Sequence, residues 1–222
     1  MTTQFILELS PAPEPTLGRF VPGANRAAIE ALRALALGRG AEPIYLWGEA
    51  GTGKSHLLAA ACHAARAAGR AAQLVADPGA HCDESCLVAI DDADRLSAAA
   101  QAKGFDLFNR VRTARGSFVA AGTGAPARLA LREDLRSRLL SGLVFQLLPL
   151  TDDENAAALA AHAEERGMQL PREVVTYLLQ RIPRDAGTLF AVLEAIDRHS
   201  LALKRPVTLP LVREALAALG LQ

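Results

Sequence analysis

The eight residues Gly48-Glu49-Ala50-Gly51-Thr52-Gly53-Lys54-Ser55 fit the pattern G-x-x-x-x-G-K-[ST] without a mismatch. Such a loop works in one setting: a buried strand ends at its first glycine and a helix starts at its lysine. Backbone N–H groups and the positive end of the helix then converge on phosphate oxygens. The flanks meet this demand. Pro43-Ile44-Tyr45-Leu46-Trp47 is a short apolar run ending in glycine, as a buried strand would, and Ser55 to Ala68 has helical composition closed by Gly69. Gly48, Gly51, Thr52 and Gly53 are expected to shape a cradle for ADP or ATP. Lys54 would reach the β- and γ-phosphates, and the Ser55 hydroxyl would ligate Mg²⁺.

The pattern repeats along the chain. A helix is expected from Asn25 to Leu37, strands over 71–76, 86–90, 117–121 and 144–148, and helices near 97–115 and 132–140. Strands separated by helical segments imply a parallel five-stranded sheet with right-handed crossovers, hence a three-layer α/β/α domain. The link from Asp77 to Ser85 leaves no room for a helix. Beyond Leu150 only helices are expected: 152–166, 171–181, 185–203 and 209–219. Thr151-Asp152-Asp153-Glu154 has the polar cap and acidic first turn of a helix start. This division gives an extended arm and Pro-rich linker over 1–18, a nucleotide-binding base over 19–150 and an all-helical domain over 151–222.

Charge and composition narrow the function. The 24 basic side chains balance 24 acidic ones, so no positive excess holds nucleic acid by bulk electrostatics. Only three of the 24 are lysines, and one of those is Lys54, where a compact ammonium is wanted. No apolar run approaches the ~20 residues that span a bilayer, and no signal peptide is evident, so a cytoplasmic protein without a membrane partner is expected. Three cysteines are too few for a disulfide framework. His81-Cys82-Asp83-Glu84-Ser85-Cys86 lacks the second ligand pair that zinc needs and reads as a polar loop.

A second element sharpens the nucleotide reading. Leu87-Val88-Ala89-Ile90-Asp91-Asp92 is an apolar strand ending in two carboxylates. Asp91 would hold Mg²⁺ directly or through water, and Asp92 could orient an attacking water. The same acids could also cap a helix.

At this point the residues carry a resemblance. Phe20-Val21-Pro22-Gly23-Ala24-Asn25, the phosphate loop followed by His56-Leu57-Leu58, and Asp91-Asp92 resemble the AAA+ family of the replication initiator DnaA. Thr188-Leu189-Phe190 and the closing Lys204-Arg205-Pro206-Val207-Thr208-Leu209-Pro210 are similar to its shorter regulatory branch, the Hda group, and the resemblance covers nearly the whole chain. It implies an α/β/α base with a helical lid, and places Val21, Asn25 and His56 among the nucleotide-binding residues. It also implies a sensor-1 role for Thr123, otherwise a plain strand-to-loop residue. Arg138, in Leu135-Arg136-Ser137-Arg138-Leu139, falls on the arginine finger, otherwise a surface arginine on a helix. One departure stands out: Gly187 occupies the sensor-2 arginine position, leaving Arg184, three residues upstream, as the candidate to reach the nucleotide.

Gln4-Phe5-Ile6-Leu7-Glu8-Leu9 resembles the motif that binds the DNA polymerase sliding clamp, with Gln4, Leu7 and Leu9 kept, Phe5 in place of a leucine and Glu8 in place of a proline. An extended arm can add its backbone to a partner while alternate side chains fill a groove. By pattern alone the arm also reads as an edge strand or frayed terminus. The resemblance therefore implies a regulator that meets DnaA on the DNA-loaded clamp, contacts DNA only through it, and promotes hydrolysis of DnaA-bound ATP. The sequence as given ends at Gln222 soon after the lid, which favours a regulator over an initiator with a DNA-reading domain. A homodimer, or a monomer that rearranges, is expected. A DNA-stimulated ATPase of the helicase-loader type, a small-molecule kinase and a nucleotide-gated adaptor are the competing readings.

Overall fold

The computed structural model describes residues 15–125 and 128–221. The arm residues Gln4, Phe5, Leu7 and Leu9 lie outside the described residues.

Five short strands build one parallel sheet: β1 (Ile44–Trp47), β2 (Ala72–Leu74), β3 (Leu87–Ile90), β4 (Ser117–Gly122) and β5 (Leu143–Gln146). Their order is β2-β3-β4-β1-β5, and every neighbouring pair is parallel. The connecting helices are α1 (Arg26–Ala36), α2 (Lys54–Ala67), α3 (Ala98–Thr113) and α4 (Glu133–Leu140). The three-layer class expected from the alternation is the one observed. The link between β2 and β3 carries no helix.

Strand residues alternate between two cores, as a period of two requires. Ile44, Leu46, Val119 and Ala121 pack with Leu32 and Leu35 of α1 and with Leu57 and Leu58 of α2. Tyr45, Val88, Phe118 and Ala120 point the other way and pack with Leu107 and Phe108 of α3 and Leu135 and Leu139 of α4. Cys82 and Cys86 are buried in that second core. Burial pushes the Cys86 thiol up to about 11. Leu17, which the proline density assigned to the linker, is buried in the first core, and the Thr16 carbonyl lies 3.3 Å from Nε2 of His56 on α2.

The remaining helices, α5 (Asp152–Glu165), α6 (Arg172–Arg181), α7 (Ala186–Leu203) and α8 (Leu209–Ala218), bury a third core of their own around Leu159, Leu178, Leu193 and Leu211. Thr151 and Glu154 form a reciprocal capping box that fixes where α5 starts. Asn25, at the end of the 3₁₀ turn before α1, donates its amide to the Leu148 carbonyl at 2.9 Å and accepts from the Leu148 N–H at 2.8 Å. The chain between β5 and α5 is thereby tied to the opening turn. Gly23 of that turn sits where a Cβ would come within 2.8 Å of Leu150.

Candidate functional site

In a parallel sheet every strand ends on the same side, and ligands collect beyond those carboxyl ends where the strand order reverses. Here Trp47 pairs with Gly122 and Ile90 with Ala120, so Gly48, Asp91 and Thr123 leave neighbouring strands at one edge. The phosphate loop, the paired acids and the sensor-1 position meet there.

The loop curls over the first turn of α2. Gly53 is left-handed at φ +90°, a conformation that disfavours a side chain, and a Cβ there would sit 2.5 Å from the Phe20 ring. A Cβ on Gly51, at φ +79°, would come within 2.8 Å of Cβ of Asp185. The cradle is thus closed by an aromatic ring from the opening motif and by the residue that caps α7. Lys54, the first residue of α2, is buried and donates Nζ to the carbonyls of Gly48 at 2.8 Å and Glu49 at 2.7 Å. Burial draws its ammonium below the usual lysine range, against the pull of the nearby Asp91, Asp92 and Asp94 carboxylates. The Thr52 hydroxyl closes the turn by donating to the Glu49 carbonyl at 2.9 Å. Ser55 is exposed next to Lys54 at the start of α2. Among the described residues this buried ammonium is satisfied by loop carbonyls, at a helix N-terminus whose glycines exclude side chains, an arrangement suited to phosphate oxygens.

The acids follow β3. Asp91 Oδ1 accepts the Asp92 N–H at 2.9 Å, and Asp92 is left-handed at φ +45° with its carboxylate 3.4 Å from Arg95. Sequence reasoning passed over Asp94. Its Oδ2 accepts the Thr123 N–H at 3.0 Å and the Thr123 hydroxyl, joining the segment after β3 to the end of β4. The only sequence signal was a third acid two residues beyond the pair.

Other assigned residues have different surroundings. Asn25 has its amide engaged with Leu148, and His56 packs its ring on Phe20 with centroids 5.9 Å apart. Val21 is half-buried in the same opening motif. Arg184 is paired with Asp152 at 2.8 Å, on an exposed part of the lid. Gly187 lies in the first turn of α7, where a Cβ would meet only Asp185 Oδ1, at 3.4 Å. Asp185, also unassigned by the sequence, caps α7 by accepting the Thr188 N–H at 2.8 Å while resting on the phosphate loop. Arg138 stands apart, exposed on α4 with its guanidinium 5.6 Å from the Phe105 ring centroid. Among the described residues no carboxylate pairs with it.

Residues 13–76 match the family model of the bacterial DnaA ATPase domain, and residues 152–216 match that of the Hda lid domain. The fold is similar to a replication initiator DnaA bound to AMPPCP and single-stranded DNA, at TM-score 0.71 and 24% identity over 84% of this chain. The chain spans 65% of that initiator's length. Domain III of Thermotoga maritima DnaA is similar over 94% of this chain and 97% of its own, with TM-score 0.73 and 20% identity. Thermotoga maritima RuvB follows at TM-score 0.70 and 15% identity, over 94% of this chain and 73% of RuvB.

Proposed function

We propose that this chain, an AAA+ protein related to DnaA and carrying an Hda-type lid, is a nucleotide-bound regulator that promotes hydrolysis of ATP held by DnaA. The observation that carries this reading is Arg138: an exposed guanidinium, steadied on the Phe105 ring and unpaired with any described carboxylate. A cation so presented is available to a neighbouring molecule's nucleotide, where an arginine finger neutralises charge developing on the γ-phosphoryl group. The chain's own lid offers its phosphate loop no such group at the two positions the resemblance names, because residue 187 is glycine and Arg184 is paired with Asp152.

ADP or ATP with Mg²⁺, when bound, would supply the anion that the loop is shaped to hold. Lys54 and the loop N–H groups would hold the phosphates, and Ser55 and Asp91 would hold the metal. Gln4, Phe5, Leu7 and Leu9 would dock the arm on the sliding clamp, so that DNA is reached through the clamp in the cytoplasm. Monomer and homodimer both accommodate this scheme.

The test mixes the protein with DNA-loaded clamp and labelled ATP–DnaA and follows conversion to ADP. Wild type accelerates conversion, Arg138→Ala reduces the acceleration at least ~10²-fold, and Gln4→Ala reduces it only when clamp is present. No acceleration by wild type refutes the reading. DNA-stimulated turnover by this chain alone would replace it with the helicase-loader type.

A further inference from the structure

We propose that Asp94 is a positioning residue that withholds the Thr123 hydroxyl from a bound nucleotide, so that the site gains little from a γ-phosphate. The inference rests on reading the loop as a nucleotide site. A threonine hydroxyl has one proton, and here that proton goes to Asp94 Oδ2, which also takes the Thr123 N–H. What Thr123 then presents on its other side is lone pairs, which repel phosphate oxygens. To serve a γ-phosphate the proton would have to leave a charge-assisted bond, roughly twice as strong as a neutral one.

The surroundings hold Asp94 in this role. Gly122 ends β4 just before Thr123, and any Cβ there would collide with the Tyr45 hydroxyl and come within 2.9 Å of Asp94 Oδ1. The missing side chain is what lets the carboxylate reach under Thr123. Asp94 Oδ1 is itself buried, with no hydrogen-bond partner among the described residues. The neighbouring Tyr45 hydroxyl donates instead to the Gly124 carbonyl at 3.2 Å. The carboxylate therefore depends on Thr123 for its side-chain donor, which opposes release of the hydroxyl. Burial tends to raise the Asp94 carboxyl, but the two Thr123 hydrogen bonds, together with its own backbone N–H and the nearby Arg95, outweigh it and hold it below the usual range, so it is an ionised acceptor at neutral pH.

The test measures dissociation constants for fluorescent ADP and for non-hydrolysable AMPPCP in wild type, Asp94→Ala, Thr123→Val and the double variant. Thermal unfolding of each variant confirms folding. Asp94→Ala is expected to shift preference toward AMPPCP about 10-fold, the gain of one hydrogen bond to a charged group. Thr123→Val alone should move the ratio less than 2-fold, and the double variant should return to the wild-type ratio. Asp94→Asn, which keeps the shape and weakens the acceptor, should fall about 3-fold from wild type in the same direction, and it decides the matter if Asp94→Ala does not fold. An unchanged ratio in the Asp94 variants overturns the proposal. So does a shift that survives in the double variant, because removing a negative charge alone would produce it. Wild type that binds neither nucleotide overturns this proposal together with the nucleotide reading, whereas tight binding with an unchanged ratio overturns Asp94 alone.

Discussion

Replacing Asn25 with alanine separates two roles for one side chain. The resemblance makes Asn25 a nucleotide-binding residue, whereas its amide is engaged in reciprocal bonds of 2.9 and 2.8 Å with the Leu148 backbone. Asn25 is only 4% exposed, so alanine leaves a Leu148 donor and acceptor without their partner in a part-buried setting. Each lost bond is worth about 1 kcal/mol net, and incomplete rehydration of the orphaned groups adds to that, giving about 2–3 kcal/mol. For a chain of this size that is a fall in Tm of roughly 4–12 °C. Circular dichroism melts with and without ADP measure it. The nucleotide Kd, taken well below the transition, should stay within about 3-fold, because the contact ties the opening turn to the β5–α5 connection rather than to phosphate. Asn25→Asp keeps the acceptor for the Leu148 N–H but turns an oxygen toward the Leu148 carbonyl, so it recovers at most part of the loss. An unchanged Tm combined with a tenfold or greater loss of nucleotide affinity would refute the reasoning and restore Asn25 to the ligand.

Three further outcomes follow from local geometry. Gly53→Ala forces a Cβ into a left-handed position 2.5 Å from the Phe20 ring, so stability should fall by about 2 kcal/mol and nucleotide affinity at least 10-fold, read by thermal melts and titration. Gly187→Arg meets only Asp185 Oδ1 at van der Waals distance in the first turn of α7, where leaving glycine favours the helix by ~1 kcal/mol; Tm should rise by about 2–4 °C and AMPPCP should bind better relative to ADP. Cys86, with a thiol pushed up to about 11 by burial, is mostly protonated at pH 8 and should react with iodoacetamide over ~100-fold more slowly than a free cysteine, with the rate climbing only as pH approaches 11. Mass spectrometry of labelled peptides against time and pH would expose any fast fraction.

The elements that could be read from the sequence are those whose signal is local. The phosphate loop needs its strand and helix as immediate neighbours, so eight residues located β1 and α2 together. The short link between β2 and β3 was legible because twelve residues broken by Pro78-Gly79 leave no room for a crossover helix. The α5 boundary was legible because a capping box is written in four consecutive residues. Composition was a weaker guide at Leu17, where proline density suggested a linker and burial in the first core decided otherwise.

What only the tertiary structure decided are contacts between residues far apart in the chain. Asp94 meets Thr123 across 29 positions, because the sheet places β3 beside β4. Asn25 meets Leu148 across 123, and Asp185 comes to rest on Gly51 because the lid folds back over the loop. A side chain's type and spacing state which bonds it can make. Which of those bonds it makes depends on the partner that packing brings within about 3 Å, and that choice set Asn25 against Leu148, Arg184 against Asp152, Asp94 against Thr123 and Asp185 against Gly51.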